Sequence, residues 1–243
     1  MPEDWHYDTA ADLDQPLRER LRHFPREDDL LVFGLRLAAA AAIRGWLRTY
    51  HRLRITGIEH LPTSGSFVLV ANHASHLDAP CLLAALPWRQ LHRAFPAAAA
   101  DYFFVTLPRM FMAAVVVNAL PFSRQAGKRG SLALCQALLA NPGNVLLIFP
   151  EGTRTRTGDL GEFKPGIGAL LAGTSIPAVP CYLEGAFAAW PKGRWLPRPW
   201  RLHLRIGAPR TFAEIPADHA GYLHLTQDLR AAVQALAAES RPG

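Results

Sequence analysis

The stretch VLLIFPEGT, Val145–Thr153, begins with five apolar residues in a row and ends in small, acidic and hydroxyl residues. An unbroken apolar run is typical of a strand that is buried on both faces of a sheet, as in parallel sheets covered by helices. A second strand-length run, SFVLVANH at residues 66–73, also ends in polar side chains. Both stretches therefore predict buried strands whose carboxyl ends carry polar groups.

Strand-like and helix-like segments alternate along the rest of the chain. The sequences IPAVPCYLEG and RLHLRIG predict two more strands, and GSLALCQALLAN, KPGIGALLAGT and YLHLTQDLRAAVQALAAES predict helices. Such alternation favours an α/β fold, with a mostly parallel central sheet that helices flank on both sides. We assign this predicted domain to residues 54–243.

An N-terminal amphipathic helical segment precedes the predicted domain. Residues 1–29 are polar and predict a loosely held arm, whereas residues 30–53 have apolar positions at helical spacing. These positions are Leu31, Leu35, Ala39, Ala42, Trp46, Tyr50 and Leu53. Arginines interrupt the segment, so it lacks the apolar length of a membrane span. Two compatible interpretations stay open: a helix packed on the domain, or a helix lying in a membrane interface.

Composition limits the classes of partner. Half of the 243 residues are hydrophobic, which suits a sizeable core, and the net charge of +6 favours contact with nucleic acid, an anionic membrane or a phosphorylated substrate. The three cysteines, Cys81, Cys135 and Cys181, lie far apart with no C-x-x-C spacing and predict buried free thiols in a reducing compartment. The first 30 residues show no signal-peptide pattern.

The first polar cluster contains His73 and Asp78, five residues apart across a predicted strand-to-helix turn. A neutral imidazole can take a proton from a hydroxyl, and a carboxylate can fix its tautomer. Asp78 is also a candidate N-cap of the following helix, and His73 a candidate turn residue. The order H-x-x-H-x-D, which includes His76, matches no zinc pattern, so we predict no metal site.

The second polar cluster is Glu151, Gly152, Thr153 and Arg154, with Lys164 ten residues further on at a predicted helix start. Glycine lets backbone N–H groups approach an anion, and arginine matches phosphate oxygens. Residues 168–175 have P-loop spacing without its lysine, and the G-x-S-x-G pattern of serine hydrolases is absent from the sequence. A base beside an anion-binding loop, with no nucleophile, favours direct group transfer onto an alcohol.

Four blocks resemble those of the glycerolipid acyltransferases, the lysophosphatidate acyltransferase family. NHASHLD resembles the N-H-x-x-x-x-D block of that family, and FPEGTRT resembles its F-P-E-G-T-R block. ALPFSR is similar to the second block and IPAVPCYLEG to the fourth. All four occur in the family's order between residues 72 and 185, which makes the resemblance specific.

The resemblance implies a role for each matching residue. His73 would deprotonate the acceptor hydroxyl with Asp78 as its partner, and the donor would be the thioester of acyl-CoA or acyl-carrier protein. The implied acceptor-binding residues are Arg124, Glu151, Gly152, Thr153, Arg154 and Lys164. Asn72 and Pro180 would be structural or lie on the donor side. The family implies no metal, flavin or nucleotide cofactor, and a peripheral or monotopic place on the cytoplasmic side of a membrane.

Three positions depart from the family pattern. Asn118 stands where the second block usually has Gly, Ser123 where it has Asp, and His76 where many members have an aromatic residue. Because the second block is tied to the acceptor, an alternative is a related enzyme whose lipid or specialised-metabolite acceptor has no phosphate.

The segment FAAWPKGRWLPRPWRL, residues 187–202, interleaves tryptophans with basic residues. Such a mixture suits a membrane interface or single-stranded nucleic acid, and a plain surface loop is the simplest interpretation. A basic binding module without catalysis would leave both polar clusters unexplained. We therefore predict an anionic membrane surface and no nucleic acid as partner.

Overall fold

The computed structural model describes residues 30–99, 118, 120–122 and 128–239. The helices are α1 (Leu30–Thr49), α2 (Asp78–Ala85), α3 (Lys128–Ala140), α4 (Gly166–Leu171), α5 (Ala186–Ala189) and α6 (His219–Ala238), with 3-10 turns at Ile58–His60 and Trp88–Arg93. The strands are β1 (Arg54–Thr56), β2 (Phe67–Ala71), β3 (Ala94–Ala99), β4 (Leu120–Phe122), β5 (Val145–Ile148), β6 (Ala178–Glu184) and β7 (His203–Ile206). The predicted arm, residues 1–29, and the positions Ser123 and Arg124 lie outside the described residues.

The described strands form one sheet in the order β1-β7-β6-β2-β5-β3-β4. Every neighbouring pair is parallel except β6 and β7, which are antiparallel. The predicted α/β fold with a mostly parallel sheet is therefore confirmed. The first and second polar clusters follow β2 and β5, which are adjacent and parallel, with Val70 opposite Ile148. Their carboxyl ends consequently bring the two clusters to one edge of the sheet.

The core has two halves, one on each face of the sheet. Leu69 and Leu147 belong to the half that α1 and α2 cover, while Val70 and Leu146 belong to the half covered by α3, α4 and α6. Successive residues of a strand point to opposite faces. The central strands therefore need apolar residues at every position, which explains the unbroken runs in the sequence.

Three strands were not predicted from the sequence. Strands β1 and β4 have only three residues each, and β3 has the sequence AFPAAA, whose alanines favour helix over strand. Pro96 of β3 lies opposite Leu147 of β5. Pairing with a buried neighbour therefore outweighs local propensity in this segment.

Helix α1 ends at Thr49, four residues before the predicted boundary, and its core-facing side only partly matches the predicted stripe, of which Trp46 packs against the core. Leu37, Ala40, Ile43 and Leu47 face the core, whereas Leu35, a member of the predicted stripe, is 47% exposed. Arg44 points inward, where it donates to the Leu83 and Leu86 carbonyls at the end of α2. Among the described residues, no helix is long and apolar enough to span a bilayer.

Candidate active site

His73 and Asp78 form a direct pair at the carboxyl end of β2. The Nδ1 atom of His73 lies 2.7 Å from Oδ2 of Asp78, and the two side chains are 24% and 1% exposed. A carboxylate can only accept hydrogen bonds, so Nδ1 carries the proton and donates it. The Nε2 atom is left with a lone pair and can accept a proton from a bound hydroxyl.

Asp78 organises the whole turn between β2 and α2. Its Oδ2 atom also accepts the backbone N–H groups of Ala74, at 2.7 Å, and Ser75, at 2.8 Å. An N-cap accepts from residues that follow it in its helix, whereas these donors precede Asp78, which is the first residue of α2. The carboxylate thus stabilises the turn around His73. Asp78 does not cap α2, which was the alternative interpretation.

The loop that follows β5 holds the backbone of His73 on both sides. Glu151 Oε1 accepts the His73 N–H at 2.7 Å, and Thr155 donates its N–H to the His73 carbonyl at 2.9 Å. The Phe149 ring stacks on the imidazole at 4.3 Å with an interplanar angle of 18°. The two sequence blocks are therefore joined through His73 itself, at its ring and at its peptide groups.

Glu151 is buried, and both of its oxygens are engaged with the backbone. Its second oxygen, Oε2, accepts the N–H of Gly161 at 3.1 Å. Burial raises the pKa of Glu151, although the hydrogen bonds from His73 and Gly161 act in the opposite direction. The carboxylate thus connects the His73 turn to the 151–161 loop, and its expected role in acceptor binding stays a prediction.

Gly152 and Lys164 are in close contact. Gly152 has a φ of +70°, and its missing Cβ would lie 2.5 Å from the Lys164 amine. The backbone N–H of Lys164 donates to the Pro150 carbonyl at 3.0 Å. Because glycine has no Cβ, the Lys164 side chain can pass directly beside the backbone of residue 152, in the loop that holds His73. Thr153 is exposed and Arg154 half-buried on the same loop, and their role in binding an anion stays a prediction.

Asn72 extends the pairing of β2 with β6 by one step. Its side-chain Nδ2 donates to the Leu183 carbonyl at 3.1 Å, and its Oδ1 accepts the Leu183 N–H at 2.8 Å. The amide thus stands in for a peptide group directly before His73. Pro180 is buried within β6, where its carbonyl accepts the N–H of Gly207. These contacts are structural, which is one of the two roles that the resemblance implies for Asn72 and Pro180.

A third segment reaches the turn between His73 and Asp78. Ser75 Oγ donates to the Trp190 carbonyl at 2.8 Å, and the rings of His76 and Trp190 lie 5.2 Å apart. Phe149, Thr155 and Trp190 were not identified from the sequence as site residues. Phe149 was within reach of sequence reasoning, because it is the first residue of the FPEGTRT block.

Asn118 stands where the family usually has Gly, and its backbone conformation is one that both residues adopt readily. Its φ is +54°, in the left-handed region that glycine and asparagine adopt most readily. Its buried amide accepts from Arg36 at 3.1 Å and donates to the His92 carbonyl at 3.0 Å. The departure therefore reflects local conformation and a link between α1 and the segment before β3.

The three cysteines are free and buried, as predicted. Burial raises the pKa of the Cys135 thiol to about 11 and raises those of Cys81 and Cys181 as well. Thiols with such pKa values are poor nucleophiles at neutral pH. Among the described residues no three His, Cys, Asp or Glu side chains are grouped so that they could hold a metal ion.

The sequence profile of the Acyltransferase family matches residues 52–184, which is more than half of the chain. This range contains the His73–Asp78 pair and the loop from Phe149 to Lys164. The profile match and the geometry therefore concern the same part of the molecule.

Several curated proteins named 1-acyl-sn-glycerol-3-phosphate acyltransferase are similar in sequence. The chain is 33% identical over 147 residues to the chloroplastic protein of Arabidopsis thaliana, which covers 59% of this chain and 39% of that protein. It is 34% identical over 100 residues to the Pseudomonas aeruginosa protein, covering 38% of this chain and 36% of that one. The matched region thus spans well under half of these relatives.

A solved structure has the same fold. The crystal structure of the 1-acyl-sn-glycerophosphate (LPA) acyltransferase PlsC from Thermotoga maritima aligns with a TM-score of 0.64 and 22% sequence identity. The alignment covers 87% of this chain and 81% of that chain. At this level of identity the likeness supports the fold.

Proposed function

This chain belongs to the acyltransferase family, and from that premise we propose that it transfers an acyl group from a thioester to the hydroxyl of a lysophospholipid such as 1-acylglycerol-3-phosphate. The observation that carries the proposal is the 2.7 Å contact between His73 Nδ1 and Asp78 Oδ2, which leaves Nε2 as a proton acceptor. The names of the similar proteins support this class of acceptor.

The reaction needs one base and no covalent enzyme intermediate. Nε2 of His73 takes the proton of the acceptor hydroxyl while its oxygen forms a bond to the thioester carbonyl carbon. Asp78 stabilises the imidazolium that results. The carbon–sulfur bond then breaks, and the leaving thiolate takes the proton back from His73. The products are the ester and the free thiol, and the imidazole is neutral again.

A phosphate on the acceptor would bind beside this base. Arg154 and Lys164 are two of the three cations of the loop that holds His73, and the exposed Thr153 adds a hydroxyl there. An arginine fork and a lysine amine both favour phosphate oxygens. Arg124 stays a prediction for the same role. Glu151, whose oxygens are engaged with the backbone, would act by holding His73 in position.

The thioester donor is acyl-CoA or acyl-carrier protein, and the proposal involves no metal or organic cofactor. A second acceptor class, a lipid or specialised metabolite without phosphate, was suggested by Asn118 and Ser123. The positive φ of Asn118 accounts for one of these two departures. The phosphorylated acceptor is therefore the better supported of the two.

We place the protein at a membrane surface because its proposed acceptor is an amphipathic lipid. On the side of α1 that faces away from the core, Leu35 is 47% exposed, and Phe33 near the start of the helix is 39% exposed. A helix with such a face can lie in the membrane interface. The proposal is a peripheral enzyme on the cytoplasmic side, with no nucleic acid partner.

The test is thiol release from a panel of acyl-CoAs in the presence of lysophosphatidate or of monoacylglycerol, which has the same hydroxyl chemistry without the phosphate. Wild type is compared with His73→Ala and with His224→Ala, an exposed histidine on α6 at the opposite face of the sheet. We expect lysophosphatidate-dependent release that falls roughly 10²- to 10⁴-fold in His73→Ala and stays unchanged in His224→Ala.

Equal turnover by His73→Ala and wild type would exclude His73 as the base. Release with monoacylglycerol and none with lysophosphatidate would move the assignment to an acceptor without phosphate. No release with any acyl-CoA, followed by transfer from acyl-carrier protein, would identify the donor.

A further inference from the structure

We propose that residues 191–201, here called the Trp loop, dock on an anionic phospholipid surface and hold the His73–Asp78 turn next to it. The docking surface is separate from α1 and is built from the tip of this loop. The part of the proposal that concerns the catalytic turn rests on the proposed function, whereas docking itself does not.

The Trp loop exposes large apolar side chains at its tip. Trp195 is 86% exposed and Leu196 60%, and Trp200 is about half exposed. Exposing neighbouring apolar side chains to water is unfavourable, and a concentration of them marks an interaction site. Tryptophan prefers the headgroup level of a bilayer, where its apolar ring and its polar N–H are both satisfied.

The two chain segments that form the Trp loop and its support carry charged side chains of a single sign. The sequence has no Asp or Glu between residues 185 and 213, or between residues 30 and 58, whose end contacts the loop. The exposed basic residues of these two segments near the loop are Arg48, Arg52, Arg54, Lys192, Arg194, Arg198 and Arg201. Basic residues next to a bilayer with anionic lipids each add attraction. The surface is thus complementary to a negatively charged membrane.

Hydrogen bonds hold the Trp loop in place. The Trp190 side-chain Nε1 donates to the Arg194 carbonyl at 2.8 Å, and the Arg198 N–H donates to the Ala189 carbonyl at 2.9 Å. Tyr50, just after α1, donates its hydroxyl to the Pro197 carbonyl at 3.3 Å. A loop held in this way presents Trp195 and Leu196 without the entropic cost of ordering it on binding.

The residue that anchors the start of the Trp loop also contacts the turn between His73 and Asp78. The backbone carbonyl of Trp190, directly before the loop, accepts the Ser75 hydroxyl at 2.8 Å, and the Trp190 ring lies 5.2 Å from that of His76. Ser75 and His76 lie between His73 and Asp78 in the chain. A membrane that receives the Trp loop would therefore lie near the entrance to the site, where a lipid acceptor arrives.

The exposed side chains favour lipid over single-stranded nucleic acid. Nucleic acid binding without sequence preference uses aromatic faces on which bases stack. Here the aliphatic Leu196 shares the tip with Trp195, and the Arg198 guanidinium lies 5.2 Å over the Trp200 ring. An aliphatic side chain gains from entering an acyl region and gains little from a base.

The test is co-sedimentation of the full chain with phosphatidylcholine vesicles that contain no phosphatidylglycerol or about a quarter of it. The variant is Trp195→Ala/Leu196→Ala, and the control is Leu223→Ala, an exposed leucine on α6 at the other face of the sheet. We expect wild type and control to bind the anionic vesicles, and the double variant to bind at least roughly tenfold more weakly.

Equal binding by the double variant and wild type would overturn the proposal and assign any membrane contact to other surfaces. Equal binding of wild type to neutral and anionic vesicles would overturn the charge complementarity. Salt-sensitive binding to single-stranded DNA that the double variant loses, without vesicle binding, would assign the loop to nucleic acid.

Failure of this proposal can be separated from failure of the proposed function. If the chain is no acyltransferase, wild type releases no thiol and still sediments with anionic vesicles. If the Trp loop does not dock, thiol release with vesicle-borne acceptor is the same in the double variant and wild type. Retained circular dichroism of the double variant checks its folding.

Discussion

Glu151 fixes His73 through its backbone: its Oε1 atom accepts the His73 N–H at 2.7 Å while Oε2 accepts the Gly161 N–H at 3.1 Å. The proposed base is thereby held by a carboxylate that makes no hydrogen bond to its imidazole. The ring is positioned separately by Asp78 and Phe149. The segment after β5 therefore fixes the backbone of His73 and one face of its ring, while the first residue of α2 fixes Nδ1.

Replacing Glu151 by Gln should lower kcat about tenfold to a hundredfold with a small change in the acceptor KM. The amide can accept only through its single oxygen, so one backbone N–H loses its partner and His73 shifts. An unsatisfied buried donor should also cost about 1–3 kcal/mol of stability. Kinetics and thermal unfolding measure both effects.

The matched control is Glu162→Gln, since Glu162 is 86% exposed and pairs with Arg230 at the surface. We expect this control to behave as wild type. A Glu151→Gln variant with normal kcat and a raised acceptor KM would instead indicate a direct contact between Glu151 and the acceptor.

The pH dependence of stability should carry the signature of Glu151. Burial raises its pKa in the folded state, so the folded chain binds this proton more tightly than the unfolded chain does. Its contribution to stability is therefore fully present below the ordinary glutamate pKa and is lost as pH rises through the higher folded value. As pH falls across this window, thermal unfolding should show the stability of wild type rising relative to that of Glu151→Gln. The opposite trend would mean a lowered pKa.

Replacing Asp78 by Asn should leave a folded protein whose kcat falls roughly 10²- to 10⁴-fold. The neutral amide cannot stabilise an imidazolium, and its NH₂ group cannot accept from the turn. Steady-state kinetics with circular dichroism would show this. The control is Asp228→Asn, which alters a surface pair with Arg210. Full activity of Asp78→Asn would reduce Asp78 to a structural part of the turn.

Gly152→Ala should raise the KM for a phosphate-bearing acceptor. A Cβ at this position would meet the Lys164 amine at 2.5 Å and displace it. Gly65→Ala is a close control, because Gly65 has a φ of +73° with nothing within 4 Å of its missing Cβ. Both variants should lose about 1–2 kcal/mol of stability from the left-handed backbone. A similar KM for both would remove Lys164 from the acceptor site.

Asn118→Gly should leave the preference between phosphorylated and unphosphorylated acceptors unchanged. Glycine adopts the same positive φ, and the change removes the side-chain hydrogen bonds to Arg36 and to the His92 and Ala94 carbonyls. We expect about 1 kcal/mol of lost stability for each of these bonds. Competition between lysophosphatidate and monoacylglycerol would measure the preference. A shift toward the phosphorylated acceptor would show that Asn118 sets specificity.

Much of the fold was readable in the sequence because the central strands are short, continuous and apolar. Strands β2, β5, β6 and β7 and helices α3, α4 and α6 lie where periodicity and composition predict them. Strand β3 could not be predicted in this way, because the alanines and the proline of AFPAAA disfavour a strand, and the segment becomes one by pairing with β5 and β4. The face of α1 was also misjudged, since Arg44 is satisfied by carbonyls of α2 that only folding brings near.

The proximity of the His73–Asp78 cluster to residues 151–154 followed from sequence alone, because polar side chains after buried parallel strands lie at the same edge of the sheet. Tertiary structure decided what each does there. It turned Glu151 toward the His73 backbone, stacked Phe149 on the imidazole, and tied Trp190 to Ser75 across 115 residues of chain. Local sequence encodes which strands are buried. Contacts between distant segments depend on the packing of the whole sheet, which no single segment specifies.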